Sequence, residues 1–153
     1  MSPELRQQIL DELARLNDER AEFAPLLSEL GNRDPNGIEL RALGGMLHSV
    51  YTGIEGILKH LLMELDGSIP SSAGWHAELL TQAAQGTENR GPLISDDLLM
   101  RLRELMAFRH RYRNTYGFEL SWKRMKPLTF TVFDTVTIFE RQLNAFFSDL
   151  DTV

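Results

Sequence analysis

Leucine, isoleucine, valine and phenylalanine recur every three or four residues along most of the chain, the spacing that gathers side chains on one face of an α-helix. Strand-like alternation is almost absent, so the fold class is all-α. In the first run, Ser2 caps and Pro3 opens a helix whose seam is Leu5, Ile9, Leu13, Leu16, Phe23, Leu27 and Leu30. Pro25 lacks an amide donor and crowds the preceding turn, so a kink or break is expected near Ala24. A second helix is expected from about Asn36 to Leu65, with Leu40, Leu43, Leu47, Val50, Ile54, Ile57, Leu58 and Leu61 on its buried side. Gly44, Gly45, Gly53 and Gly56 each weaken such a helix by up to about 1 kcal/mol relative to alanine, so close approach of another element must compensate.

Trp75 to Gln85 reads as a short helix. Ser95 is an N-cap for a fourth, with Asp96 and Asp97 in its first turn, and this helix is expected to run to about Tyr116 and stop at Gly117. A last helix is expected to begin near Pro127, with Leu128, Val132, Val136, Phe139, Leu143, Phe146 and Leu150 as its seam. The short connections keep sequential helices adjacent. The expected architecture is an up-and-down helical bundle of four main helices plus one short helix, as a single domain over residues 1–153.

Composition narrows the function classes. With no cysteine, disulfides, thiolate chemistry and iron–sulfur clusters are excluded. A net charge of −6 argues against a surface that binds nucleic acid everywhere, though not against a local basic site. No stretch approaches the roughly 20 apolar residues that span a bilayer, and the N-terminus is polar and acidic, so a soluble cytoplasmic protein without membrane association is expected. His48 and His60 fall about 120° apart in helical phase, and no further histidine or carboxylate pattern completes a cage, so no metal is expected. Gly44 and Gly45 lack the surroundings of a phosphate loop, and no cofactor is expected.

Residues 101–126 break the acidic trend. They hold Arg101, Arg103, Arg109, Arg111, Arg113, Lys123, Arg124 and Lys126 against Glu104 and Glu119. On a helical projection Arg109 continues the stripe of Leu98, Leu102 and Leu105, followed by Arg113 and Tyr116, while Arg103, His110 and Asn114 form a neighbouring row. Unpaired guanidinium groups cost several kcal/mol to bury. The bundle is therefore expected to open here, pair them with a carboxylate such as Glu55, or present them to a ligand; Glu55 is the first choice as counter-ion to Arg109 or Arg113.

The string Phe108, Arg109, His110, Arg111, Tyr112, Arg113, Asn114, Thr115, Tyr116, Gly117 resembles the motif region of the HEPN superfamily, in particular its HepT-like branch. Tyr51, Gly53, Ile54 and Glu55, and then Trp75, His76, Leu79 and Leu80, are also similar to that branch, so the likeness covers most of the chain. The resemblance implies a small all-α homodimer, often a metal-independent ribonuclease toxin paired with a nucleotidyltransferase antitoxin. In the family's signature an arginine steadies phosphate, and a histidine transfers a proton for attack by a ribose 2′-hydroxyl. A tyrosine two residues later can accept AMP from the partner enzyme. Aligned on Arg109 and Tyr116, this chain carries Asn114 where that histidine stands, and an amide cannot shuttle a proton near neutral pH.

Two repairs are open from sequence. Arg103 and His110, with six residues between them, satisfy the upper limit of the family signature, an arginine and a histidine separated by four to six residues; alternatively His110 does the proton work beside Arg109, while Arg113 and Asn114 bind phosphate. Tyr116 is either an AMP acceptor and RNA contact or a ring that closes the bundle. His76 either packs and pairs at the start of the short helix or borders the pocket. The leading expectation is a toxin-type, metal-independent ribonuclease with a basic cleft at a homodimer interface, Arg109, His110, Asn114 and Tyr116 in its site, Arg103 and Arg113 on phosphate, and Glu55 and His76 in support. The alternatives are a catalytically lapsed module that binds RNA, a nucleotide or a protein, and a helical adaptor whose polar rows are interface salt bridges.

Overall fold

Each long helix begins where the sequence offers a cap. In the computed structural model, which describes residues 1–114 and 119–152, the helices are α1 (Pro3–Glu29), α2 (Gly37–Asp66), α3 (Trp75–Ala84), α4 (Asp96–Arg113) and α5 (Trp122–Asp151). Ser2 Oγ accepts from the Leu5 amide at 3.1 Å and Ser95 Oγ from the Leu98 amide at 3.2 Å. At α2 a reciprocal pair closes the cap: Asn36 Oδ1 accepts from the Glu39 amide at 2.8 Å, and Glu39 Oε1 from the Asn36 amide at 2.9 Å. Gly67, at φ 77°, ends α2 in the left-handed region that a side chain would strain.

Three boundaries differ from expectation: α4 ends at Arg113, with Asn114 as its C-cap, rather than near Tyr116, and the other two lie at prolines. Pro25 lies within an unbroken α1, and Pro127 lies within α5, which starts at Trp122. A proline removes one backbone bond from its helix. At α5 the residues ahead of it are anchored, because Met125 is buried, Trp122 meets Phe130 edge to face, and Ser121 Oγ accepts from the Arg124 amide. Lys123, Arg124 and Lys126 consequently belong to the exposed first turns of α5 rather than to a connection.

The expected four main helices and one short one form the bundle, with α2 at its centre in contact with α1, α3, α4 and α5. Tyr51, Ile54, Leu58 and Leu61 of α2 are fully buried with Leu98 and Leu102 of α4 and Val136, Phe139 and Leu143 of α5. The glycine expectation holds at Gly44, where an added Cβ would stand 3.1 Å from both Tyr112 Cε2 and Leu120 Cδ1, and at Gly53, 3.0 Å from Leu16 Cδ2. It fails at Gly56, which has open space around it. None of the helices is long and apolar enough to cross a membrane among the described residues.

A buried ion pair ties the α3–α4 connection to the end of α2. Arg90 Nε and Nη2 each donate to Asp66 at 2.7 Å, and its remaining donors reach the carbonyls of Gln82, Gln85 and Gly91. This arginine is fully paired.

Candidate functional site

The inward stripe of α4 drifts as it approaches the helix end. After Leu98, Leu102 and Leu105 it passes to Phe108, which is buried, and to Tyr112, whose ring stacks on Phe108 and lies against Gly44. Room beside Gly44 lets an aromatic ring occupy the core side, so the two expected polar rows do not replace the apolar face. Arg113, His110, Asn114 and Arg103 are exposed. Arg109 sits at the edge of the stripe, half-buried, and its Nε is sealed from solvent without a hydrogen-bond partner among the described residues. A buried guanidinium donor left open is costly, and an arriving anion would complete it.

Facing α3 and α4, α2 presents His48, Tyr51 and Glu55, which share a side of the helix by their spacing. Glu55 is 6% exposed, and its Oε2 accepts a hydrogen bond from Tyr51 Oη at 2.7 Å while lying 2.6 Å from His76 Nδ1. The partner of Glu55 is thus His76 rather than Arg109 or Arg113. Helix α3 starts beside Glu55, and Trp75 stacks on the His76 ring at 3.7 Å between centroids, holding it there. Burial, then the bond to Glu55, pushes the Tyr51 phenol far above its ordinary pKa, so it remains a donor; the charge of Arg109 acts weakly the other way.

His48 carries a second signal that the sequence did not disclose. Burial, followed by the charges of Arg109 and Arg113, holds its pKa below the ordinary imidazole value, and its buried Nδ1 has no partner among the described residues. Its ring packs 5.3 Å from that of Tyr112. The visible clue was its place on the same side of α2 as Tyr51 and Glu55.

Between the start of α3 and the end of α4 lies a hollow of about 290 Å³. His76, Arg109 and His110 line it, and Gly74, Ala77 and Ala107 keep it open by being small. Arg103 stands toward α3 on the same helix, with Nη2 3.3 Å from Thr81 Oγ1. Asn114 turns back on its own helix: its Nδ2 donates to the His110 carbonyl at 3.0 Å, at the C-cap of α4. Tyr116, and with it the expected stop at Gly117, lies outside the described residues. No group of three or more histidines and carboxylates is placed to hold a metal among the described residues.

The structure therefore joins His76, Arg109 and His110 and backs them with Glu55 and Tyr51, while Arg103 and Arg113 flank the group and Asn114 serves as a cap. A cation and two imidazoles around one small hollow can hold a phosphate and move protons about it.

No curated protein and no solved structure matches the chain. A family model described as HepT-like protein matches residues 42–150, which take in the polar side of α2, all of α3 and α4 and nearly all of α5. The chain belongs to the HepT-like family of the HEPN superfamily.

Proposed function

We propose that this HepT-like protein is a toxin-type, metal-independent ribonuclease whose RNA phosphate sits in the hollow between α3 and α4. The observation that carries this reading is the half-buried Arg109, whose Nε lacks a partner among the described residues, beside two imidazoles in one hollow. Arg109 holds the phosphate, Arg103 and Arg113 contact neighbouring phosphates, and His110 transfers a proton. Lys123, Arg124 and Lys126, in the first turns of α5, add their charge to the positive pole of that helix and extend the basic surface. Family membership supports homodimerisation, a nucleotidyltransferase-type antitoxin as partner, Tyr116 as the acceptor of its AMP, and a cytoplasmic setting. Labelled RNA incubated with the purified protein, Arg109→Ala and His110→Ala tests the assignment: cleavage by the wild type and its loss in both variants is expected. Intact RNA in all three reactions contradicts it.

One observation favours a second reading. The amide of Asn114, the residue that the alignment on Arg109 and Tyr116 sets against the family's histidine, is engaged in capping α4. On that ground the same hollow serves a lapsed module that holds RNA without cutting it, and salt-sensitive RNA binding with no product formation distinguishes this case.

A further inference from the structure

On the alignment by Arg109 and Tyr116 an amide, that of Asn114, falls at the family's proton-transfer position, so a cleaving site in this chain needs another base. We infer that His76, held by Glu55, is that base, and that it works opposite His110 across the hollow. The inference rests on the ribonuclease reading above and names the chemistry of that site.

The geometry fixes which nitrogen of His76 reacts. Glu55 Oε2 lies within bonding distance of both Tyr51 Oη and His76 Nδ1, and an ionised carboxylate only accepts. Nδ1 therefore carries the proton, and Nε2 is left with its lone pair on a ring that lines the hollow. Two contacts restrict the ring: Glu55 at one edge and Trp75 stacked on its face. Lys59 Nζ lies over the Trp75 ring, 5.5 Å from its centroid. The charged and titratable groups facing His76 are thus Glu55, Tyr51 and, through Trp75, Lys59 on α2, with Arg109 and His110 on α4. His110 is exposed, and among the described residues no side chain holds its ring as Glu55 holds that of His76.

The step balances without a metal or co-reactant. Nε2 of His76 takes the proton of a ribose 2′-hydroxyl, and the freed oxygen forms a bond to phosphorus. The bond from phosphorus to the 5′-oxygen breaks, and that oxygen receives a proton from the His110 imidazolium. Arg109 donates to the phosphoryl oxygens on which charge accumulates. The products are a 2′,3′-cyclic phosphate end and a 5′-hydroxyl end. Glu55 is a positioning residue, acting through His76.

The test uses full-length protein, a labelled single-stranded RNA, and the variants His76→Gln, Glu55→Gln and His110→Gln, with His60→Gln as a control on the α1–α2 side. His76→Gln is expected to slow cleavage by about 10²–10⁴-fold while RNA affinity changes less than about threefold. The wild-type rate is expected to be bell-shaped in pH. His76→Gln should lose the limb that rises from acid, because the base no longer needs to be deprotonated, and His110→Gln should lose the alkaline limb. A substrate with an aryl leaving group, which departs without protonation, should rescue His110→Gln and leave His76→Gln slow. Glu55→Gln should keep the fold by circular dichroism and lower kcat more than KM. Wild-type cleavage with His76→Gln retaining both rate and acid limb overturns this assignment and leaves the ribonuclease reading standing. RNA binding by the wild type with no cleavage at any pH overturns both.

Discussion

The side chain of Arg90 and the Nε of Arg109 are both withdrawn from water, and they are used in opposite ways. Arg90, its side chain 2% exposed, meets both oxygens of Asp66 and three backbone carbonyls, so its burial locks the α3–α4 connection onto α2. Arg109 is more exposed as a residue, yet its Nε is buried without a partner among the described residues, beside a hollow lined by two histidines. Burial alone does not separate structure from function here. What separates them is whether the guanidinium's donors are matched within the fold.

The comparison can be broken most forcefully at Arg90. Arg90→Met leaves Asp66 facing a nearly dry site and is expected to cost about 3 kcal/mol in urea unfolding, with RNA affinity of the folded protein unchanged. The pair also sets an acid dependence. The guanidinium holds the Asp66 carboxyl below its ordinary value, so its contribution is complete above the unfolded carboxylate range, near pH 4, and is lost as pH falls through the lower folded value. Unfolding midpoints followed from pH 6 to pH 3 should therefore fall less steeply in Arg90→Met than in the wild type.

Arg109→Ala should invert that pattern. RNA cleavage is expected to drop by about 10²-fold, whereas unfolding free energy shifts by less than about 1 kcal/mol, because an unmatched donor is removed. Gly44→Ala sharpens the link between packing and site. It presses on Tyr112 and Leu120 and should lower stability by about 1 kcal/mol and RNA affinity with it, while Gly56→Ala, in open space, should raise stability by about 0.5 kcal/mol. The smallest effects belong to the exposed flank: Arg103→Ala and Arg113→Ala should each weaken RNA binding modestly and reduce the slope of log affinity against log salt by about 1.

Much of the frame was legible because capping and period are local. Ser2, Asn36 and Ser95 mark helix starts within a residue, and Gly44 and Gly53 announce tight packing. The prolines misled because one missing backbone bond is outweighed by anchoring side chains, as Met125 and Trp122 show at α5. The site was legible in its members but not in its pairings. Helical phase placed Arg113 inward, yet Tyr112 takes that side because Gly44, far away in sequence, makes room for its ring. Glu55 read as a buried counter-ion to an arginine, but which partner it meets depends on where a short helix delivers His76, which no local pattern specifies. The spacing of Tyr51 and Glu55 carried their mutual bond, and the histidine completing it came from another element.

Arginine Nε–Hε resonances report on both guanidinium groups in one NMR titration with a short single-stranded RNA. The account predicts that the Arg109 signal moves as RNA is added and saturates with binding, while the Arg90 signal stays in place. RNA binding that leaves the Arg109 resonance unmoved would contradict it.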